Sequence, residues 1–160
     1  MIQLKNVSKV YSNGMLALDD INIFVGQEEF VYLIGPSGSG KSTLLKLIFM
    51  ADFPSQGEII IDRFILSRIQ RSQIPFYRRN IGMIFQDYKL LSKRTVYENV
   101  AFALRVMHYP TPKIKKQVQH VLELVGLEDK MHSMPNELSG GEQQKICIAR
   151  AIVNAPPILL

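Results

Sequence analysis

The sequence predicts an α/β fold, a mainly parallel sheet with an antiparallel β flap and a helical insert. Three observations point there. An apolar run, Phe30-Val31-Tyr32-Leu33-Ile34, leads through a glycine-rich turn into Leu44-Leu45-Lys46-Leu47-Ile48, the pattern of buried strand, turn and helix. Two alternating segments precede it, as in half-buried antiparallel strands. After residue 87 the apolar spacing changes to that of helices.

The turn itself carries chemistry. Gly35-Pro36-Ser37-Gly38-Ser39-Gly40-Lys41-Ser42-Thr43 has the spacing G-x-x-x-x-G-K-[ST]. Its glycines let the backbone curve so that successive N–H groups face one anion, and the helix starting at Lys41 adds its positive end. Lys41 supplies a full charge for the β- and γ-phosphates of a nucleotide, and the Ser42 hydroxyl a ligand for Mg²⁺. The competing reading is an ordinary glycine turn. Chance gives this spacing on the order of once in a few hundred chains of this length, and the flanking strand and helix patterns reduce that further.

In chain order, Ile2 to Val7 alternates as a strand and Tyr11-Ser12-Asn13-Gly14 turns it. Leu18 to Val25 alternates again, with Ile21, Ile23 and Val25 on one face. Gly26 to Glu29 turns into the run at 30–34, a predicted buried strand. The helix at 41–50 stops near Pro54, and Gly57 to Asp62 is a further short strand. Residues 63–80 are basic and polar and predict a loop, broken by Pro75, with a short helix ending before Asn80. Ile81 to Phe85 is a strand that delivers Gln86 and Asp87 at its C-terminal end, where ligand-contacting residues gather in open α/β sheets. Thr95-Val96-Tyr97-Glu98 is a capping box opening a helix. Thr111-Pro112 predicts the cap and start of another, which Gly126 stops. Ser139 and Glu142 satisfy the capping-box spacing for a last helix, and Ser139-Gly140-Gly141 leaves bare N–H groups at its positive end, a second possible anion site.

Composition narrows the functions. At 160 residues, 47% hydrophobic and 21% charged, the chain suits one globular domain or a large piece of a bigger one. No apolar run approaches the ~20 residues that span a bilayer, and Met1-Ile2-Gln3-Leu4-Lys5 lacks a signal-peptide core, so a cytoplasmic protein is expected. The net charge of +5 is spread out without interleaved aromatics, and no nucleic-acid partner is expected. Cys147 is the only cysteine and reads as a small buried hydrophobe. His108, His120 and His132 lack zinc-ligand spacing, so no metal is expected beyond the Mg²⁺ of a nucleotide.

The order of motifs, GPSGSGKST, then the glutamine of IGMIFQD, then LSGGEQQ at 138–144, resembles the ATP-binding cassette (ABC) ATPases over Ile2 to Leu160. LSGGEQQ discriminates, because phosphate loops alone occur in many kinases and GTPases. Within the family, residues 75–87, Leu90-Leu91 and Thr95 to Ala101 look closest to the cell-division, FtsE-like branch, with lipoprotein-release and macrolide-export ATPases as near relatives. The resemblance implies a P-loop NTPase (RecA-like) fold in one nucleotide-binding domain, 1–160. Residues 1–86 and 140–160 would form the α/β core with its flap, and 87–139 the helical subdomain.

Carried onto this sequence, the resemblance implies ATP and Mg²⁺ as cofactors. Tyr11 would stack on adenine, Gly35 to Thr43 would wrap the phosphates, and Ser42 and Gln86 would bind Mg²⁺. Ser139, Gly140, Gly141 and Gln143 would meet the γ-phosphate of ATP held by a second copy in a head-to-tail homodimer. The implied partner is an integral membrane protein, an FtsX-like permease for an FtsE-like ATPase, at the cytoplasmic face of the cell membrane. In the family, the aspartate for Mg²⁺ and the glutamate that polarises the attacking water follow a strand that begins here at Pro156-Pro157-Ile158-Leu159-Leu160. No catalytic residue is therefore placed within 1–160. The domain reads as C-terminally incomplete, expected to bind nucleotide and hydrolyse it negligibly.

Overall fold

Alternation at the N-terminus becomes strand pairing. In the computed structural model, which describes residues 1–160, β1 (Ile2–Val10) pairs antiparallel with β2 (Leu16–Val25) and β3 (Gln56–Ile61). β3 pairs in turn with β4 (Phe64–Ile65), giving the sheet order β2-β1-β3-β4. The register sets Leu4 opposite Ile23 on one side and Ile59 on the other. It shifts after Leu4 and after Lys5, where Asn6 adopts a positive φ of 49°. Leu4, Val7, Leu18, Ile59 and Ile61 are buried, as are Leu44, Leu47 and Ile48 of α1 (Lys41–Ile48). Each such side chain stabilises the unit by roughly 1.5–3 kcal/mol.

The far end of α1 is closed by α2 (Ile74–Arg78). The Tyr77 hydroxyl donates to Ile48 O at 2.6 Å, and Arg78 donates to Phe49 O and Met50 O. These bonds satisfy carbonyls that a helix end leaves without partners. Pro75 does not break this segment as expected. It lies in the first turn of α2, where a missing N–H costs nothing.

The predicted buried strand at 30–34 is corrected. Residues 29–36 have no regular secondary structure, and Phe30 and Ile34 are 81% and 89% exposed. The backbone groups of 30–34 bond to no other part of the chain. An apolar run becomes a strand only where a neighbouring backbone offers partners, and β1 to β4 pair among themselves.

By compactness the chain divides into residues 1–78, described so far, and 79–160. In the second unit β5 (Ile81–Gly82) pairs parallel with β6 (Ile158–Leu159), and bonds from Leu160 N to Gly82 O and from Ile84 N to Leu160 O extend the ladder. The strand expected over 81–85 is thus paired as β structure only at 81–82, and the parallel part of the fold consists of this one pair. Helices α3 (Val96–Val106), α4 (Thr111–Val125) and α5 (Gly140–Ile152) share one core that includes Val100, Leu104, Val118, Leu122, Ile146 and Ala149. α5 thus buries its apolar face against α3 and α4 within this unit.

The capping boxes at Thr95/Glu98 and Ser139/Glu142 both form, and Gly126 ends α4 in the left-handed conformation. Thr111 is not the cap of α4. Pro110 takes that position and Thr111 is the first helical residue, with Pro112 behind it in the first turn. Asn99, fully buried, accepts from Leu91 N and donates to the carbonyls of Leu91, Arg94 and Thr95, fixing the approach to α3.

Candidate nucleotide-binding site

The phosphate loop ends at Gly40, which caps α1 with φ 87° and no side-chain hydrogen bond. A Cβ there would lie 2.4 Å from Ala17 O and 2.8 Å from Leu18 Cδ2, so only glycine lets the loop settle against β2. The first turn of α1 carries no acidic side chain, which leaves its N–H groups and positive end open to an anion. Lys41 Nζ reaches back into the loop, donating to Gly35 O at 2.7 Å, Pro36 O at 2.6 Å and Ser39 Oγ at 3.2 Å. A full charge is thereby held among the loop residues. Ser37, Gly38, Ser39 and Ser42 are exposed.

Thr43 is buried, and its hydroxyl pairs with the Tyr11 hydroxyl at 3.1 Å. That bond ties the Tyr11 ring to the first turn of α1. Lys9 Nζ lies 5.2 Å from the ring centroid and is itself held by Asp52 at 2.6 Å and Phe53 O at 2.7 Å. Partial burial pushes the Asp52 carboxyl up. The Lys9 bond, the Phe53 N–H and the charges of Lys9 and Lys46 outweigh it and hold the group below the usual carboxylate value. The loop residues Gly35, Pro36, Ser39, Gly40 and Lys41 share a pocket of about 260 Å³ with the aliphatic side chains of Leu18, Ile21, Ile23, Leu33, Ile34 and Leu44.

In the second unit Gln86 is exposed at the start of a turn in which Tyr88 and Lys89 have φ of 59° and 48°. Ser139, Gly140 and Gly141 are exposed at the N-terminus of α5. The Ser139 hydroxyl donates to Glu142 Oε2 at 2.7 Å and accepts from Glu142 N at 3.4 Å. A Cβ on Gly141 would meet nothing within 4 Å, and one on Gly140 only the Tyr88 hydroxyl at 3.5 Å. The chain's own packing thus does not demand bare backbone there. The Gln143 amide is committed inward, donating to Pro135 O and Leu138 O, so in this structure it braces the turn before α5.

The Ser42 hydroxyl in the first unit and the Gln86 amide oxygen in the second are each hard oxygen donors on exposed residues, the donor type that Mg²⁺ takes. No cluster of histidine, cysteine, aspartate or glutamate capable of holding a metal occurs in the chain. Sequence reasoning missed Lys9 and Arg150, which brace Tyr11 and the Gln86 turn. The available signal was positional: Lys9 is two residues before Tyr11 near the end of a strand, and Arg150 is three after Cys147 on one helix face.

The ABC transporter family model matches residues 18–160. The cell division ATP-binding protein FtsE of Bacillus subtilis is 50% identical over 160 residues, all of this chain and 70% of that protein. FtsE of Mycobacterium tuberculosis is 49% identical over 161 residues, again all of this chain and 70% of the relative. The methionine import ATP-binding protein MetN of Helicobacter pylori is 45% identical over 160 residues, with the chain spanning 49% of it. Among solved structures, the dimeric bacterial ABC transporter cassette MJ0796 superimposes with a TM-score of 0.92 at 39% identity, covering 99% of this chain and 72% of that one. A post-hydrolysis dimer of the same cassette, bound to ADP and Pi, gives 0.92 at 38%, with the same coverage. The fold is that of the P-loop NTPases, and the chain belongs to the ABC ATPase family, its sequence most like FtsE among these relatives.

Proposed function

We propose that the chain is the nucleotide-binding portion of an FtsE-like ABC ATPase, which couples ATP binding and hydrolysis to an integral membrane partner of the FtsX-like permease type acting in cell division. The observation that carries nucleotide binding is the open N-terminus of α1 with the Lys41 ammonium held inside its loop. The triphosphate would lie on the N–H groups of residues 38–43, drawing the Lys41 charge from the loop carbonyls onto phosphate oxygen. Ser42 and Gln86 would hold Mg²⁺, which when bound neutralises charge on the phosphates. Tyr11, tethered through Thr43, would offer a ring face to the base.

Bare backbone at Gly140 and Gly141, which internal packing does not require, fits a surface meant for an outside group. The positive end of α5 and the Ser139 hydroxyl would engage the γ-phosphate of ATP on a second copy in a head-to-tail dimer. Gln143, bonded as it is here, would set the Ser139 turn. No helix is long and apolar enough to cross a membrane, which fits a peripheral subunit at the cytoplasmic face held by its partner. The MetN relatives support a second reading, the ATPase of a solute transporter. The membrane protein that co-purifies with the complete complex separates the two.

The test is Lys41→Ala, titrated with a fluorescent ATP analogue. Binding is expected to weaken at least about tenfold, the loss of a charge-assisted phosphate contact. Unchanged affinity would refute the site.

A further inference from the structure

Arg150 is a half-buried cation that pairs with no carboxylate; Asp87, in the turn it faces, is paired with Lys89 at 2.7 Å. The guanidinium instead donates to two backbone carbonyls, Nη1 to Lys89 O and Nη2 to Tyr88 O, both at 2.7 Å. The Cys147 thiol, buried one helical turn earlier, donates to the same Tyr88 carbonyl at 3.1 Å. Those carbonyls belong to Tyr88 and Lys89, non-glycine residues in the left-handed region, a conformation that persists only where the surroundings impose it. α5 imposes it through three hydrogen bonds from two side chains. The turn so held is the one that begins at Gln86, and the helix holding it is the one that begins at Ser139.

We propose that Arg150 is a positioning residue whose guanidinium, together with the Cys147 thiol, latches the Gln86 turn onto α5. The Mg²⁺-binding side chain and the serine that meets a second copy's nucleotide then move as one body. Ser139 and Arg150 are about 16 Å apart along a continuous helix, so a displacement at one end is carried to the turn at the other. The proposal rests on the reading of Gln86 as a ligand of the metal–triphosphate.

Cys147 is the only cysteine in the chain, and it is covered by the turn that the latch holds. Its labelling by a maleimide therefore reports on the latch directly. In the purified chain, Arg150→Met is expected to speed labelling about tenfold or more, at a rate independent of urea below the unfolding transition, the mark of local opening. Arg150→Lys, which keeps the charge but loses the fork, should fall between. A wild-type labelling rate in Arg150→Met, or an acceleration that rises with urea as unfolding does, would overturn the latch.

The second readout is the gain in ATP affinity on adding Mg²⁺, measured for wild type, Arg150→Met and Gln86→Ala. Arg150→Met should lose most of that gain while its Mg²⁺-free affinity, set by the phosphate loop, stays at the wild-type value. If Gln86→Ala loses the gain and Arg150→Met does not, positioning by Arg150 is wrong while the site stands. If Gln86→Ala also keeps the gain, the assignment of Gln86 fails and the proposal with it.

Discussion

Gly40 and Gly38 have nearly the same backbone, φ 87° and 82°, yet different surroundings. A side chain on Gly40 collides with Ala17 O, whereas one on Gly38 meets open space. Gly40→Ala is therefore expected to cost roughly 2–5 kcal/mol, from left-handed strain and overlap together, and Gly38→Ala only the strain, about 1–2 kcal/mol. Urea unfolding of the two variants measures the difference, and equal losses would show that contact with β2 does not select glycine at position 40. Tyr11 shows the same economy of placement. Its hydroxyl is fixed by Thr43 and one side of its ring lies near the Lys9 ammonium, so the ring is held in one orientation.

At the scale of elements, two helix starts share one electrostatic device. Glu98 is held below the ordinary glutamate value of 4.5 by the Thr95 N–H and then by Arg94. Glu142 is held below it by the Ser139 hydroxyl and then the Ser139 N–H. Because the folded values are depressed, both contributions are present above the unfolded pKa and are lost as pH falls through the folded one. The first turns of α3 and α5 should loosen as pH falls below the ordinary glutamate value of 4.5 and through the depressed folded one, visible in the backbone chemical shifts of residues 96–98 and 140–142. Glu142→Gln should flatten the response at α5 alone. A pH-independent α5 start in the unsubstituted chain would contradict the capping assignment. The same carboxylate also engages the Ser139 hydroxyl, so acid would disturb the proposed second-copy contact before it unfolds a helix.

For the whole molecule, the dominant exposed feature is apolar. Phe30, Val31, Tyr32 and Ile34 are consecutive in the extended segment apart from Leu33, and all are more than half exposed, with Phe30 and Tyr32 packed edge to face at 4.9 Å. Such a run seeks burial, and its free backbone offers a strand edge to another chain. Self-association that grows with concentration is expected in sedimentation velocity. A single monomer boundary across the accessible range would show that the run is covered in solution.

The legible parts of the sequence were those set by local chemistry. The phosphate loop, both capping boxes, the stop at Gly126 and the alternation of β1 and β2 depend on residues within a turn or two of one another, so spacing suffices to find them. Family order then singled out LSGGEQQ from an otherwise ordinary helix start. What only tertiary structure decided are matters of partnership across long separations. Whether 30–34 forms a strand depends on neighbours that its own composition cannot specify. Lys9 finds Asp52 from 43 residues away, and Arg150 finds the carbonyls of Tyr88 and Lys89 from 62 and 61. Backbone carbonyls are the same at every residue, so no pattern of side chains announces which of them a distant arginine will hold.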